Sequence, residues 1–133
     1  MKKIDEIPDT DPDNLSIADS LSFDFTEEEI EGYKVLCPRG SVNNATVKFM
    51  KNRLYDLSCE NGCKLIMSMK EVDSIDSVGL GTLISAHKKC NDCGGKIVFS
   101  DLNPMILRNM KMLCMDRYLN MTQDIQSAQE LFD

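Results

Sequence analysis

No stretch of this 133-residue chain approaches the ~20 consecutive apolar residues of a membrane span. No basic stripe runs through it, so the usual electrostatic footprint of direct nucleic-acid binding is missing. Histidine occurs once, as His87, and there is no Gly-x-Ser-x-Gly elbow. His87 falls ten residues after Ser77 on one helical pattern, about 15 Å along the axis at the standard rise. That separation excludes a Ser–His dyad, which needs hydrogen-bond contact. Without an assisted nucleophile or a recognisable carboxylate constellation, the sequence offers no support for an enzyme. The opening Met1-Lys2-Lys3-Ile4-Asp5-Glu6 runs into acids rather than an apolar stretch, unlike a signal peptide. The expected location is the cytoplasm, and the six cysteines are expected to be thiols rather than a disulfide framework.

What is present is enough for a single core without staples. The net charge of -7 is uneven. Residues 1–31 hold eleven Asp/Glu and two Lys, or -9, whereas residues 32–133 hold thirteen Lys/Arg and eleven Asp/Glu, or +2. Residues 1–21 are acidic and poor in apolar side chains, and their composition predicts a disordered tail ahead of a domain over 22–133.

Phe23 and Phe25 alternate with polar residues and predict a strand over 22–30. Glu31-Gly32 reads as a turn. A second strand follows over 33–39, ended by Pro38 and by the break at Gly40. Asn43 or Asn44 can cap a helix running to about Glu60, with Val47, Met50, Leu54 and Leu57 as its buried stripe. Asn61-Gly62 ends it. The apolar run 64–69 suits a buried parallel strand. A helix over 77–93 places Leu80, Leu83, Ile84 and His87 on one face and stops at Gly94-Gly95. The run 96–100 is the next strand. Asn103-Pro104 starts a helix whose stripe is Ile106, Met110 and Leu113. A short extended segment over 116–121 and an amphipathic helix over 124–132 complete the chain. The order β-β-α-β-α-β-α-(β)-α, with right-handed crossovers, predicts an α/β fold in which a small mixed sheet carries helices mainly on one face.

Ser77 lies after a buried-looking run and at a helix start, where an added phosphate meets the positive end of the dipole. That makes it a candidate modification site, although helix-cap serines are common. Gly79 and Gly81 lack the third glycine and the lysine of nucleotide loops, so close packing or partner access suits them better. Cys59-x3-Cys63 and Cys90-x2-Cys93 both fall at C-terminal helix ends that lead into parallel strands. Four thiolates converging on zinc is one reading, small buried cysteines the other. The methionines read as adaptable core filler.

Ile75-Asp76-Ser77-Val78-Gly79-Leu80-Gly81 resembles the signature of the STAS domain family, most closely that of bacterial anti-sigma factor antagonists. Three further segments match in order over residues 22–133. The strand 33–39 with Gly40-Ser41-Val42-Asn43 resembles the family's Gly-x-hydrophobic-Asp segment. Gly94-Gly95-Lys96-Ile97-Val98 resembles its Gly-Gly strand entry. Asn103-Pro104 through Leu113, with Met115-Asp116-Arg117-Tyr118-Leu119, resembles its third helix and the run after it. The resemblance implies that Ser77 is phosphorylated by a serine kinase of the histidine-kinase-like ATPase type, which is also the anti-sigma factor. A metal-dependent serine phosphatase would remove the phosphate. The unphosphorylated form would bind the kinase and free the sigma factor, regulating transcription indirectly. Asp76, Val78, Gly79, Leu80 and Asn43 are the implied partner-binding residues, and no cofactor or metal is implied. Three positions depart from the family: Val78 replaces a second hydroxyl, Asn43 replaces an Asp, and Ser68 stands where an Asp frequently ends the central strand. The alternative of another class is a STAS subunit of a transport or signalling assembly, in which the helix starting at Ser77 makes a permanent contact without phosphorylation. A redox or zinc module built on the cysteine pairs is the third.

Overall fold

The computed structural model describes residues 23–132; the expected acidic tail lies outside them. Strand β1 (Asp24–Ile30) turns at Glu31-Gly32 and pairs antiparallel with β2 (Tyr33–Val42). Then come α1 (Lys48–Ser58), β3 (Lys64–Ser68), β4 (Glu71–Ile75) and α2 (Ser77–Asp92). They are followed by β5 (Lys96–Ser100), α3 (Pro104–Met112), a single 3-10 turn (Met115–Arg117), β6 (Asn120–Thr122) and α4 (Ile125–Glu130). The sheet has six strands in the order β1-β2-β3-β5-β6, with β4 also paired to β2. Every pairing except β1–β2 is parallel.

The period-2 side-chain alternation of the central strands divides the core. Leu36, Leu65, Met67, Ile97 and Phe99 join Met50, Leu54 and Leu57 of α1, Leu83 and Ala86 of α2, and Ile106 and Met110 of α3 in one buried cluster. Val35, Ile66 and Val98 belong to a second cluster with Tyr33, Ala128 of α4, and the flanking Ile125 and Phe132. Among the described residues, three helices therefore cover one face and the short α4 covers the other. Leu54 is fully buried, and truncating such a leucine to alanine costs about 2–5 kcal/mol.

Four expectations need correction. Strand β2 does not stop near Pro38 but continues to Val42. It pairs with β3 through Lys34–Leu36 and with β4 through Arg39–Val42, so Pro38, which has no N–H to donate, falls between the two parallel ladders. Gly40, at φ 108°, sits at the register shift that follows. Second, the sequence predicts no strand between the run 64–69 and the helix at 77, yet β4 lies there. It forms because β3 leaves β2 at Ser68 to stay with β5, and the freed edge of β2 takes up Glu71–Ile75 instead. Third, α1 begins at Lys48, with Asn43 capping a preceding turn rather than the helix: its Oδ1 accepts from the N–H of Ala45 (2.9 Å) and of Thr46 (3.1 Å). Fourth, the segment expected to be extended over 116–121 begins as the 3-10 turn, and only Asn120–Thr122 joins the sheet.

Candidate functional site

The extra strand β4 has a functional consequence. It runs beside the last residues of β2, so the β4–α2 junction and the β2–α1 turn lie against each other. Asp76 joins them. Its backbone N–H donates to the Val42 carbonyl (3.0 Å), its Oδ2 accepts from the Asn44 N–H (3.2 Å), and its Oδ1 caps α2 by accepting from the Gly79 N–H (2.9 Å). Asp76 is thus the N-cap and Ser77 the first residue of the helix.

Ser77 is exposed, and its hydroxyl makes no hydrogen bond among the described residues. It is not the cap, because the neighbouring carboxylate already holds that position. Val78 is 44% exposed. Gly79 is buried: a Cβ there would lie 2.7 Å from Ile75 Cγ1, 2.9 Å from Val42 Cγ1 and 2.9 Å from the Val42 carbonyl oxygen. Its contribution is a close approach between α2 and β2, and it has no face to offer a partner. Gly81, by contrast, looks onto open space. Asn43 is half-buried and occupied with its own turn, so the two loops that carry the expected residues are brought together through Asp76 rather than through Asn43.

Between the start of α2 and the end of α3 lies a groove of about 330 Å³, lined by Ile75, Asp76, Ser77, Leu80, Asn109, Met110, Met112 and Leu113. Leu113 was expected in the buried stripe of α3. It is instead the C-cap, 61% exposed, and Met112 beside it is 74% exposed. The stripe ends at Met110 because the helix stops two residues later. Two large apolar side chains left in water at a helix end, across the groove from Ser77 and Leu80, form a surface of the kind that marks an interaction site. Their adjacency in sequence was the available signal, but the three- and four-residue spacing assigned Leu113 to the core. A larger cavity, about 610 Å³, opens between α3 and β6 and is lined by Leu107, Lys111, Leu119 and Met121 among others. It contains none of the expected residues.

The missing acid at Ser68 has a substitute. Asp101, directly after β5, accepts from the hydroxyls of Ser100 (2.9 Å) and Ser68 (3.5 Å), so a carboxylate stands at the strand ends after all. His87 is buried on α2, away from Ser77, with its ring 4.9 Å from that of Tyr118 and its Nε2 3.2 Å from the Asn91 amide.

The four paired cysteines do share one corner, as two separate pairs. Cys63 and Cys90 are buried, and the Cys63 thiol donates to the Ser58 carbonyl (3.6 Å). Burial pushes the Cys90 thiol up to about 12. Cys59 is exposed and Cys93 half-exposed. Among the described residues, no group of three or more His, Cys, Asp or Glu side chains is arranged to hold a metal ion.

The STAS domain model matches residues 25–128. The anti-sigma F factor antagonist of Paenibacillus polymyxa is 24% identical over 93 residues, which are 69% of this chain and 80% of that one. Among solved structures, an anti-sigma factor antagonist from Mycobacterium paratuberculosis superposes with a TM-score of 0.71 at 18% identity, covering 83% of this chain and 93% of that one. The Bacillus cell fate determinant SpoIIAA in its phosphorylated form gives a TM-score of 0.60 at 10% identity, covering 81% of this chain and 99% of that one.

Proposed function

The chain belongs to the STAS domain family, and on that premise we propose that it is an anti-sigma factor antagonist whose protein binding is switched by phosphorylation of Ser77. The observation that carries this reading is the setting of Ser77: an exposed hydroxyl with no hydrogen bond among the described residues, at the first position of α2 and on the rim of an apolar groove. Val78, Leu80, Met112 and Leu113 would meet the partner. The partner would be a serine kinase of the histidine-kinase-like ATPase type that doubles as the anti-sigma factor, and a metal-dependent phosphatase would reset the switch. The chain acts in the cytoplasm as a binding protein and a substrate of enzymes.

The magnitudes favour a change of binding over a change of fold. A phosphate on Ser77 carries about -1.5 to -2 charges at neutral pH. A helix start leaves its first N–H groups without intrahelical acceptors. Asp76 takes that of Gly79, and a phosphate could reach those of Ser77 and Val78, for a gain of roughly 0.3–1 kcal/mol. Repulsion from Asp76 offsets this by a comparable amount, so the domain stays folded. An interface closing over the same charge without a matched cation loses several kcal/mol. A loss of about 2.8 kcal/mol already weakens binding 100-fold.

The test uses the purified chain as bait, with Ser77→Ala and Ser77→Asp beside it. Wild type and Ser77→Ala are expected to retain one and the same ATPase, which, once purified, transfers phosphate from ATP to wild type but not to Ser77→Ala. Ser77→Asp is expected to fold normally and to bind that ATPase at least 100-fold more weakly. Full-strength binding by Ser77→Asp would eliminate the proposed switch.

A further inference from the structure

The cysteine corner stands apart from the groove and plays no part in the switch. Cys59 is the C-cap of α1 and Cys93 the C-cap of α2, 34 residues apart in the chain. The Cys93 thiol donates to the Cys59 backbone carbonyl (3.2 Å), which sets the two cap residues against each other. The backbone holds them there. The Gly62 N–H donates to the Cys93 carbonyl (2.8 Å), the Lys96 N–H donates to the Cys63 carbonyl (2.8 Å), and a Cβ on Gly95 would collide with that same Cys63 carbonyl. These bonds tie the loop after α1 to the loop after α2 and hold the two helix ends side by side.

We propose that Cys59 and Cys93 form a reversible thiol–disulfide site that staples the C-terminal ends of α1 and α2. The oxidant is a low-molecular-weight disulfide of the glutathione class. Cys59, the exposed member, attacks one sulfur of the disulfide as its thiolate. An S–S bond to Cys59 forms, and one glutathione leaves as thiolate. Cys93, whose thiol partial burial holds above its ordinary pKa, then gives up its proton and attacks the Cys59 sulfur of the mixed disulfide, expelling the second glutathione. The protons of Cys59 and Cys93 end on the two glutathione thiols, so the protein loses two protons and two electrons and one glutathione disulfide is reduced to two thiols. Exchange of this kind needs an accessible thiolate. The neighbouring Cys63–Cys90 pair is sealed from solvent and stays reduced. Cys37 and Cys114 lie on β2 and beside the 3-10 turn, away from the corner. The reaction does not require the reading of Ser77 to be correct.

The fully reduced, full-length chain is equilibrated anaerobically with glutathione at increasing ratios of disulfide to thiol. Remaining thiols are blocked with N-ethylmaleimide before and after unfolding, and the peptides are mapped by mass spectrometry. The expected product is a single Cys59–Cys93 crosslink, with the intact mass lower by two hydrogens and with Cys63 and Cys90 blocked only after unfolding. Closing so long a loop should raise the melting temperature by on the order of 10 °C, and dithiothreitol should reverse the change. Cys93→Ser removes the resolving thiol, so Cys59 is expected to accumulate a stable glutathione adduct. Wild type that keeps both thiols, carries adducts at both without crosslinking, or crosslinks to Cys63 or Cys90 instead would overturn the assignment.

Discussion

The close approach of Gly79 to β2 makes a quantitative prediction, because α2 contains a second glycine as an internal control. Gly79→Ala would set a methyl group 2.7 Å from Ile75 Cγ1 and 2.9 Å from both Val42 Cγ1 and the Val42 carbonyl oxygen. Two of these neighbours are side-chain atoms that can turn aside, but the third is backbone and fixed in place by the Asp76 N–H. Overpacking of this kind costs about 1–3 kcal/mol. The fixed backbone oxygen puts the cost in the upper part of that range, about 2–3 kcal/mol, and alanine recovers about 1 kcal/mol of helix preference over glycine, which leaves a net loss of about 1–2 kcal/mol. Gly81→Ala meets nothing within 4 Å and keeps only the favourable part. For a domain of this size, about 1 kcal/mol moves the melting temperature by roughly 4 °C. Gly79→Ala should therefore melt about 4–8 °C below wild type, and Gly81→Ala up to about 4 °C above it. Calorimetry of the three proteins under one buffer decides the matter. If Gly79→Ala melted at or above wild type, the contact between α2 and β2 could not be as tight as described, and the reason given for a glycine there would fail.

Two further outcomes rest on single residues. Asp76→Ala removes the cap on Gly79 and the bond to the Asn44 N–H together, so it should lower stability by about 1–2 kcal/mol, seen as a reduced urea midpoint at unchanged slope. An unchanged midpoint would show that water replaces both bonds without cost. His87 sets a pH dependence: burial holds its pKa below the ordinary 6.5, and its Nδ1 is buried with no hydrogen-bond partner among the described residues. The unfolded chain then takes up this proton first as the pH falls, so the contribution of neutral His87 is complete above about pH 6.5 and is lost as the pH drops toward the depressed folded value. The melting temperature of wild type should fall as the pH drops below about 6.5, and His87→Phe should flatten that slope. Equal slopes in the two proteins would place the titrating group elsewhere.

Much of the architecture was legible because helices and buried strands write their periods into the chain. The stripe Val47, Met50, Leu54 and Leu57, the caps Asn103-Pro104, and the left-handed Gly62 and Gly94 after the first two long helices are all local signals, and each appears in the structure where expected. Strand β4 was not legible. Glu71-Val72-Asp73-Ser74-Ile75 has only two apolar residues, and its extension depends on an edge of β2 that becomes free 30 residues earlier in the chain. Pro38 and Gly40 likewise signal a break by themselves. Their strand persists because Pro38 falls in the gap between two ladders and Gly40 carries the register shift. For the candidate site, the helix start at Ser77 was legible, but the identity of the cap was not. Asp76 and Ser77 are both good capping residues, and the choice followed from the bonds Asp76 makes to Val42 and Asn44.

The sequence by itself determined which segments bury their apolar faces and where α2 begins, since propensity, capping and hydrophobic period act within a few residues. The tertiary structure decided what surrounds that beginning: that Asp76 is tied down and Ser77 left open, that Gly79 faces β2, and that Met112 and Leu113 stand in water across the groove from Ser77. Those outcomes depend on contacts between segments some 30 residues apart, fixed when β4 takes the vacant edge of β2, and no local pattern encodes a distance through space.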